Sequence, residues 1–204
     1  MPRRTAVLRT DAVRPSLKRD TLVEVAERLF DRYGFHGTGV DRLVQESGVA
    51  RMTFYKHFPT KNSLVRAVLE RRDERFRSFL ERHVVERSDP AQPEVLAIFD
   101  ALADWLGNEG AQGNLLLRAV GEFSGHDVSI AGDAVFRCRW AGPWFAERLG
   151  EQGVGQADAR GWDLALLLEG AVALAPVVGG RDAAGQAKHA AAALLFSWTR
   201  SAEI

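Results

Sequence analysis

The chain has 204 residues, 27 Lys+Arg balanced by 27 Asp+Glu, 46% hydrophobic residues and a single cysteine, Cys138. This length holds a small domain plus a larger one, and one cysteine excludes an intramolecular disulfide framework. No apolar leader follows Met1-Pro2-Arg3-Arg4, and the longest apolar stretch, residues 171–178, contains Pro176 and falls well short of the ~18 residues a spanning helix needs, so a reduced cytoplasmic setting without membrane attachment is expected.

The neutral total conceals a division. Residues 1–72 carry 15 basic and 8 acidic side chains, a net of +7, whereas residues 73–204 carry 12 and 19, a net of −7. The N-terminal third is therefore suited to a polyanion. Arg outnumbers Lys 23 to 4. Guanidinium groups favour bidentate phosphate and guanine contacts, but the bias continues through the acidic part and so points first to a GC-rich genome.

Residues 1–16 hold Arg3, Arg4, Arg9 and Arg14 with little apolar periodicity and read as a flexible basic arm. The spread of charge and the intervening Asp11 favour an inert tail over an arm that follows the minor groove. From Leu22 the apolar residues Val25, Ala26, Leu29, Phe30 and Tyr33 recur at helical spacing up to Gly34, predicting an amphipathic first helix. Val40, Leu43 and Val44 predict a short second helix with one apolar edge. Gly48 follows where a positive φ is needed, and Val49 reads as a buried plug. From Arg51 to Phe58, Phe54 and Phe58 lie four apart while Arg51, Thr53, Tyr55, Lys56 and His57 carry donors on the other faces. Two short helices joined by Ser47-Gly48-Val49 have the layout of a helix-turn-helix, whose second helix enters the DNA major groove.

The run from Thr21 to Leu69 resembles the N-terminal domain of the TetR/AcrR family of bacterial transcriptional regulators. The matching residues are Leu29-Phe30, Gly34-Phe35, Thr38, Leu43-Val44, Gly48-Val49, Phe54-Tyr55, His57-Phe58, Lys61 and Leu64. Two positions depart from the pattern. Ala50 and Gly39 stand where the family commonly caps the third and second helices with Ser or Thr, so the third helix is expected to rely on packing or bound phosphate at its N-terminus.

After Pro59-Thr60 a helix from Lys61 to about Arg87 connects the two parts, with Leu64, Val65, Val68 and Leu69 buried and an Arg- and Glu-rich later portion expected in solvent. Gly- and Pro-containing breaks divide the remainder into helical segments at about 92–107, 114–123, 128–149, 156–178 and 182–202, with a kink or break at Pro143 in the third. No strand pattern competes. The fold class is all-α with about nine helices, the usual number in the family it resembles. The expected organisation is an arm at 1–16, a DNA-binding domain at 17–62 and an effector-binding and dimerisation domain at 63–204.

The resemblance implies a homodimer formed through the last two helices and a ligand pocket in the C-terminal domain. Small residues and leucines in 164–175 and 190–196 suit close helix packing, either within one subunit or between two. Candidate pocket residues are Trp105, Arg118, Glu122, Phe123, Trp140, Trp144 and Trp162. Aromatic walls suit a small hydrophobic or aromatic effector, although core packing accounts for most aromatic residues, and Arg118 and Glu122 also have the spacing of an i,i+4 pair.

On the DNA side, Arg51, Met52 and Thr53 are the expected base-edge readers. Thr38, Tyr55, His57 and Lys61 match positions that hold phosphates in the family, and Arg42 and Lys56 are secondary contacts. The expected partner is a double-stranded, pseudo-palindromic operator, with repression as the default output and activation the alternative. An all-α enzyme is a further alternative, but the five histidines have no metal-ligand spacing, Cys138 has no placed partner and there is no phosphate loop. No metal or cofactor is expected. An architectural DNA protein would be basic throughout, unlike residues 73–204.

Overall fold

The computed structural model describes residues 16–87, 92–108, 110 and 112–200. The basic arm lies outside them, apart from Ser16. The described residues form ten α-helices: α1 Leu17–Tyr33, α2 Val40–Ser47, α3 Arg51–His57, α4 Lys61–Arg87, α5 Glu94–Asn108, α6 Leu115–Phe123, α7 Val128–Cys138, α8 Ala141–Glu151, α9 Ala157–Val178 and α10 Gly180–Arg200.

One helix more than expected arises where the predicted 128–149 segment divides into α7 and α8. Pro143 is the third residue of α8, within the first turn, where a backbone N–H has no intrahelical acceptor and its loss costs little. Gly179, at φ 93°, breaks the chain between the two long terminal helices. α9 is long and apolar enough by length and composition to cross a membrane. Its inward residues Leu164, Leu168, Ala171, Val172 and Ala175 are buried in the protein core.

Two apolar cores organise the chain. The first joins Leu22, Phe30, Phe35, Leu43, Phe54 and Phe58 to Leu64, Val65, Val68 and Leu69 of α4, and also takes in Leu115, Ala119 and Phe123 of α6 and Ile130 and Ala134 of α7. The second unites Leu80 and Val84 of α4 with α5, α8, α9 and α10 around Phe99, Trp105, Phe145 and Leu168. Each fully buried Leu or Phe contributes roughly 1.5–3 kcal/mol by leaving water.

α4 thus runs through both cores. Its later portion was expected in solvent, yet Leu80 and Val84 are buried and Phe76 is partly buried. The cause is spacing: Phe76, Leu80 and Val84 recur every four residues and form a narrow apolar stripe among charged neighbours. α6 and α7, although distant in sequence, pack against the helix-turn-helix unit.

Candidate nucleic-acid interface and effector cavity

Gly48 adopts a left-handed conformation, φ 64° and ψ 11°, at the end of α2 and turns the chain toward α3. Val49 is buried behind the turn, and its N–H donates to Ser47 Oγ at 3.3 Å. Neither Gly39 nor Ala50 supplies a side-chain cap to the helix that follows. Phe54 and Phe58 anchor α3 in the first core, and this orientation turns the polar positions outward. Met52 is 84% exposed, and Arg51, Tyr55 and Lys56 are also exposed. Thr53 and His57 are partly buried, with His57 Nε2 3.4 Å from Ser16 Oγ. Arg51 pairs with Asp41 of α2, and the Arg42 guanidinium lies 4.3 Å from the centre of the Tyr33 ring.

Two expected phosphate contacts face inward instead. Thr38 is fully buried, and its hydroxyl donates to Gly34 O at 2.8 Å and Leu29 O at 3.3 Å. Lys61 Nζ donates to Phe35 O at 2.9 Å and Thr38 O at 3.4 Å. Desolvation lowers the Lys61 pKa against the attraction of Glu122. Both side chains hold the 34–39 turn together. Their donors satisfy carbonyls that α1 and the turn leave open.

The candidate pair Arg118 and Glu122 also grips this turn. Arg118 Nη1 donates to Phe30 O at 3.0 Å and Asp31 O at 2.6 Å, placing a cation at the C-terminal end of α1, where the helix dipole favours it. Glu122 accepts from the N–H groups of Phe35 at 3.2 Å and His36 at 2.8 Å, and lies 2.9 Å from His36 Nδ1. Burial raises the Glu122 pKa, but the hydrogen bonds from His36 and Phe35 outweigh that effect and hold it below 4.5. Gly34 permits the close approach: a Cβ there would lie 2.8 Å from Glu122 Oε1, and its φ of 75° also favours glycine.

A second site lies where α4, α5, α6 and α9 meet. A cavity of about 30 Å³, room for about one water, is lined by Arg72, Asp73, Phe76, Trp105, Asn114, Trp140 and Glu169, among others. Of the expected pocket residues, Trp105 and Trp140 line it. Phe123 packs 5.4 Å from Phe35, Trp144 lies against Trp140 with Arg148 over its ring, and Trp162 is partly exposed on α9. Arg118 and Glu122 are committed to α1 and the turn after it. Among the described residues, no three His, Cys, Asp or Glu side chains form a candidate metal site.

Glu169 was absent from the sequence-based candidates, although a single acid within Leu164–Ala175 is a readable signal. Burial raises its pKa to about 7 and Asp73 adds to the rise, while a hydrogen bond from Asn114 opposes both. Burial, with Glu169 and Asp73 nearby, also raises the Cys138 thiol to about 12, leaving little thiolate for nucleophilic chemistry at neutral pH. A larger open cleft of about 730 Å³ lies beside α1 and α4, with Glu27 and Asp31 paired to Arg72 and Glu27 also paired to Arg75.

An all-helical chain with an exposed α3 buttressed by α1 and α4 defines a helix-turn-helix protein with a separate helical core. Residues 22–68 match the model for bacterial regulatory proteins of the tetR family. The HTH-type transcriptional regulator LmrA of Bacillus subtilis is 39% identical over 41 residues, 20% of this chain and 22% of LmrA. The uncharacterized HTH-type regulator YxaF of the same species is 27% identical over 96 residues, 47% of this chain and 50% of YxaF. The chain therefore spans half or less of these curated relatives. SCO4454, a TetR-family transcriptional regulator from Streptomyces coelicolor, is similar in structure over 89% of this chain and 95% of its own, with a TM-score of 0.80 and 26% identity. The chain therefore carries a tetR-family N-terminal domain at residues 22–68 and shares, over most of its length, the fold of a TetR-family transcriptional regulator.

Proposed function

We propose that the chain is a homodimeric repressor that binds a pseudo-palindromic operator through α3 of each protomer and is released by a small hydrophobic or aromatic effector. The observation that carries the DNA-binding part is the division of α3: Phe54 is buried, whereas Arg51, Met52, Tyr55 and Lys56 stand exposed. Arg51 suits a guanine edge and Tyr55 and Lys56 suit the phosphate backbone.

Dimerisation is supported by the outer face of α9 and α10. Leu166 is 70% exposed, Val177 76% and Phe196 64%, with Trp162, Leu174 and Val178 also exposed. Two such helices from each subunit would bury these side chains in a four-helix interface. The coupling of effector to operator is assigned to α6, which borders the cavity at Asn114 and Leu115 and holds α1 and its following turn through Arg118 and Glu122. An effector that favours a different α6 position would shift the population away from the DNA-binding arrangement.

The match of residues 22–68 to the tetR-family model and the likeness in fold to a transcriptional regulator weigh against the enzyme alternative. Sequencing the DNA retained by the purified protein from random and genomic fragments tests the proposed function. A recurrent two-fold motif supports it, and indifference to sequence at low salt, with no retention at physiological salt, overturns it.

A further inference from the structure

Glu169 is the cavity carboxylate left without a cationic partner. Its neighbour Asp73 pairs with Arg77 at 2.8 Å and Arg137 at 3.2 Å, and Arg72 pairs with Glu27 at 2.9 Å. No ion pair engages Glu169 among the described residues. Its Oε2 accepts from Asn114 Nδ2 at 2.5 Å. Trp105, Phe76 and Trp140 complete the wall, with ring centroids 5.3 Å apart for Phe76 and Trp105 and 6.2 Å for Phe76 and Trp140. Both indoles already carry cations: Arg72 and Arg75 lie 5.5 Å and 5.9 Å from the Trp105 ring and Arg77 lies 4.8 Å from Trp140.

We propose that this cavity takes a protonated primary amine with an aromatic or apolar body, Glu169 serving as its counter-ion and Trp105, Trp140 and Phe76 receiving the body. This inference rests on the proposed effector response and names its chemical class. A buried carboxylate favours a cation that restores its charge balance, and aromatic faces attract the same charge through their quadrupoles. Anions are opposed by Glu169 and Asp73 together, and a neutral ligand leaves the carboxylate unpaired. The space of about 30 Å³ matches an ammonium head, while the body enters as the surrounding rings rotate.

Asn114 gives this site a route to α6. Its Oδ1 accepts from Leu117 N–H at 3.0 Å and caps the helix, while its Nδ2 donates to Glu169. An ammonium at Glu169 competes for the oxygen that Asn114 uses. The amide then reorients at the start of the helix that carries Arg118 and Glu122. Asn114 is a positioning residue in this scheme.

The test is calorimetric titration of the full chain with benzylamine, benzyl alcohol and benzoate, before and after Glu169→Gln. Benzylamine is expected to bind at least about tenfold more tightly than either analogue, and the substitution to remove that preference without weakening benzyl alcohol. Its affinity for the unmodified chain should also rise about tenfold from pH 6 to pH 8, because Glu169, which titrates near 7, must ionise to pair with it. Asp73, Arg72, Arg75 and Arg77 of α4, with Arg137 and Cys138 of α7, are other titratable or charged groups nearby. The pH series decides the matter if Glu169→Gln does not fold. Equal or tighter binding of benzyl alcohol or benzoate, a preference that survives Glu169→Gln, a flat pH response, or no binding of any probe at millimolar concentration overturns the proposal. Operator affinity in the same samples separates the two readings: benzylamine bound through Glu169 without operator release removes induction alone, whereas release by benzoate removes the amine class alone.

Discussion

The Glu122 carboxylate holds His36 twice, accepting from its backbone N–H at 2.8 Å and lying 2.9 Å from its ring Nδ1, across 86 residues of sequence. This contact joins α6 to the turn that follows α1. Glu122→Ala should lower stability by about 1–3 kcal/mol, because backbone donors lose a charged acceptor. The mutant should also bind effector without the normal loss of operator affinity. Urea unfolding and operator titration with effector check both outcomes, and unchanged coupling removes Glu122 from the route.

The same carboxyl sets a pH dependence. Its folded pKa lies below 4.5, so its stabilising contribution is complete above that value and lost as pH falls through the lower folded value. Acid unfolding of Glu122→Gln should lack this component. Identical acid profiles for the two proteins would show that it contributes nothing.

Glu169 has the opposite sign. Its pKa is raised to about 7 in the folded chain, so stability should fall between about pH 4.5 and pH 7, where the unfolded carboxyl ionises while the buried one keeps its proton, by on the order of 3 kcal/mol at most. Glu169→Gln should flatten that decline in a pH series of unfolding curves.

Arg51→Ala should weaken operator binding by about 1–3 kcal/mol and relax one base position. Competition against operators varied at single positions reads the effect, and an equal loss on every sequence assigns Arg51 to the phosphate backbone instead.

Lys61 gives a sharper comparison. Its ammonium already donates to the Phe35 and Thr38 carbonyls, so Lys61→Met should cost about 1–2 kcal/mol of folding stability. The salt dependence of operator affinity should stay the same. A slope reduced by about one would show that Lys61 contacts a phosphate in the complex.

The first three helices were legible because their signals are local. The apolar spacing of Leu22 to Tyr33, Gly48 at the turn and Phe54 and Phe58 beneath α3 each depend on neighbours within one or two helical turns. The Pro143 break was readable for the same reason, since proline restricts its own first turn. Exposure of Arg51, Met52, Tyr55 and Lys56 followed once Phe54 was assigned to the core.

Other roles depended on docking between distant segments. Thr38 and Lys61 have types and positions suited to phosphate, but the carbonyls they satisfy become neighbours only when α4 packs beside the turn after α1. Arg118 and Glu122 share a helix face whichever partner they meet, and the docking of α6 on α1 selected backbone groups over a ligand. Glu169 was visible as an acid in an apolar run, while its place beside Trp105, Trp140 and Asn114 required α4, α5, α6 and α9 to converge. Sequence by itself determined the helices and the outward face of α3, because periodicity and turn chemistry act at short range. Tertiary structure alone decided which of the other polar groups clamp the turn after α1 and which enter the cavity, because burial and hydrogen-bond partners come from packing across the chain.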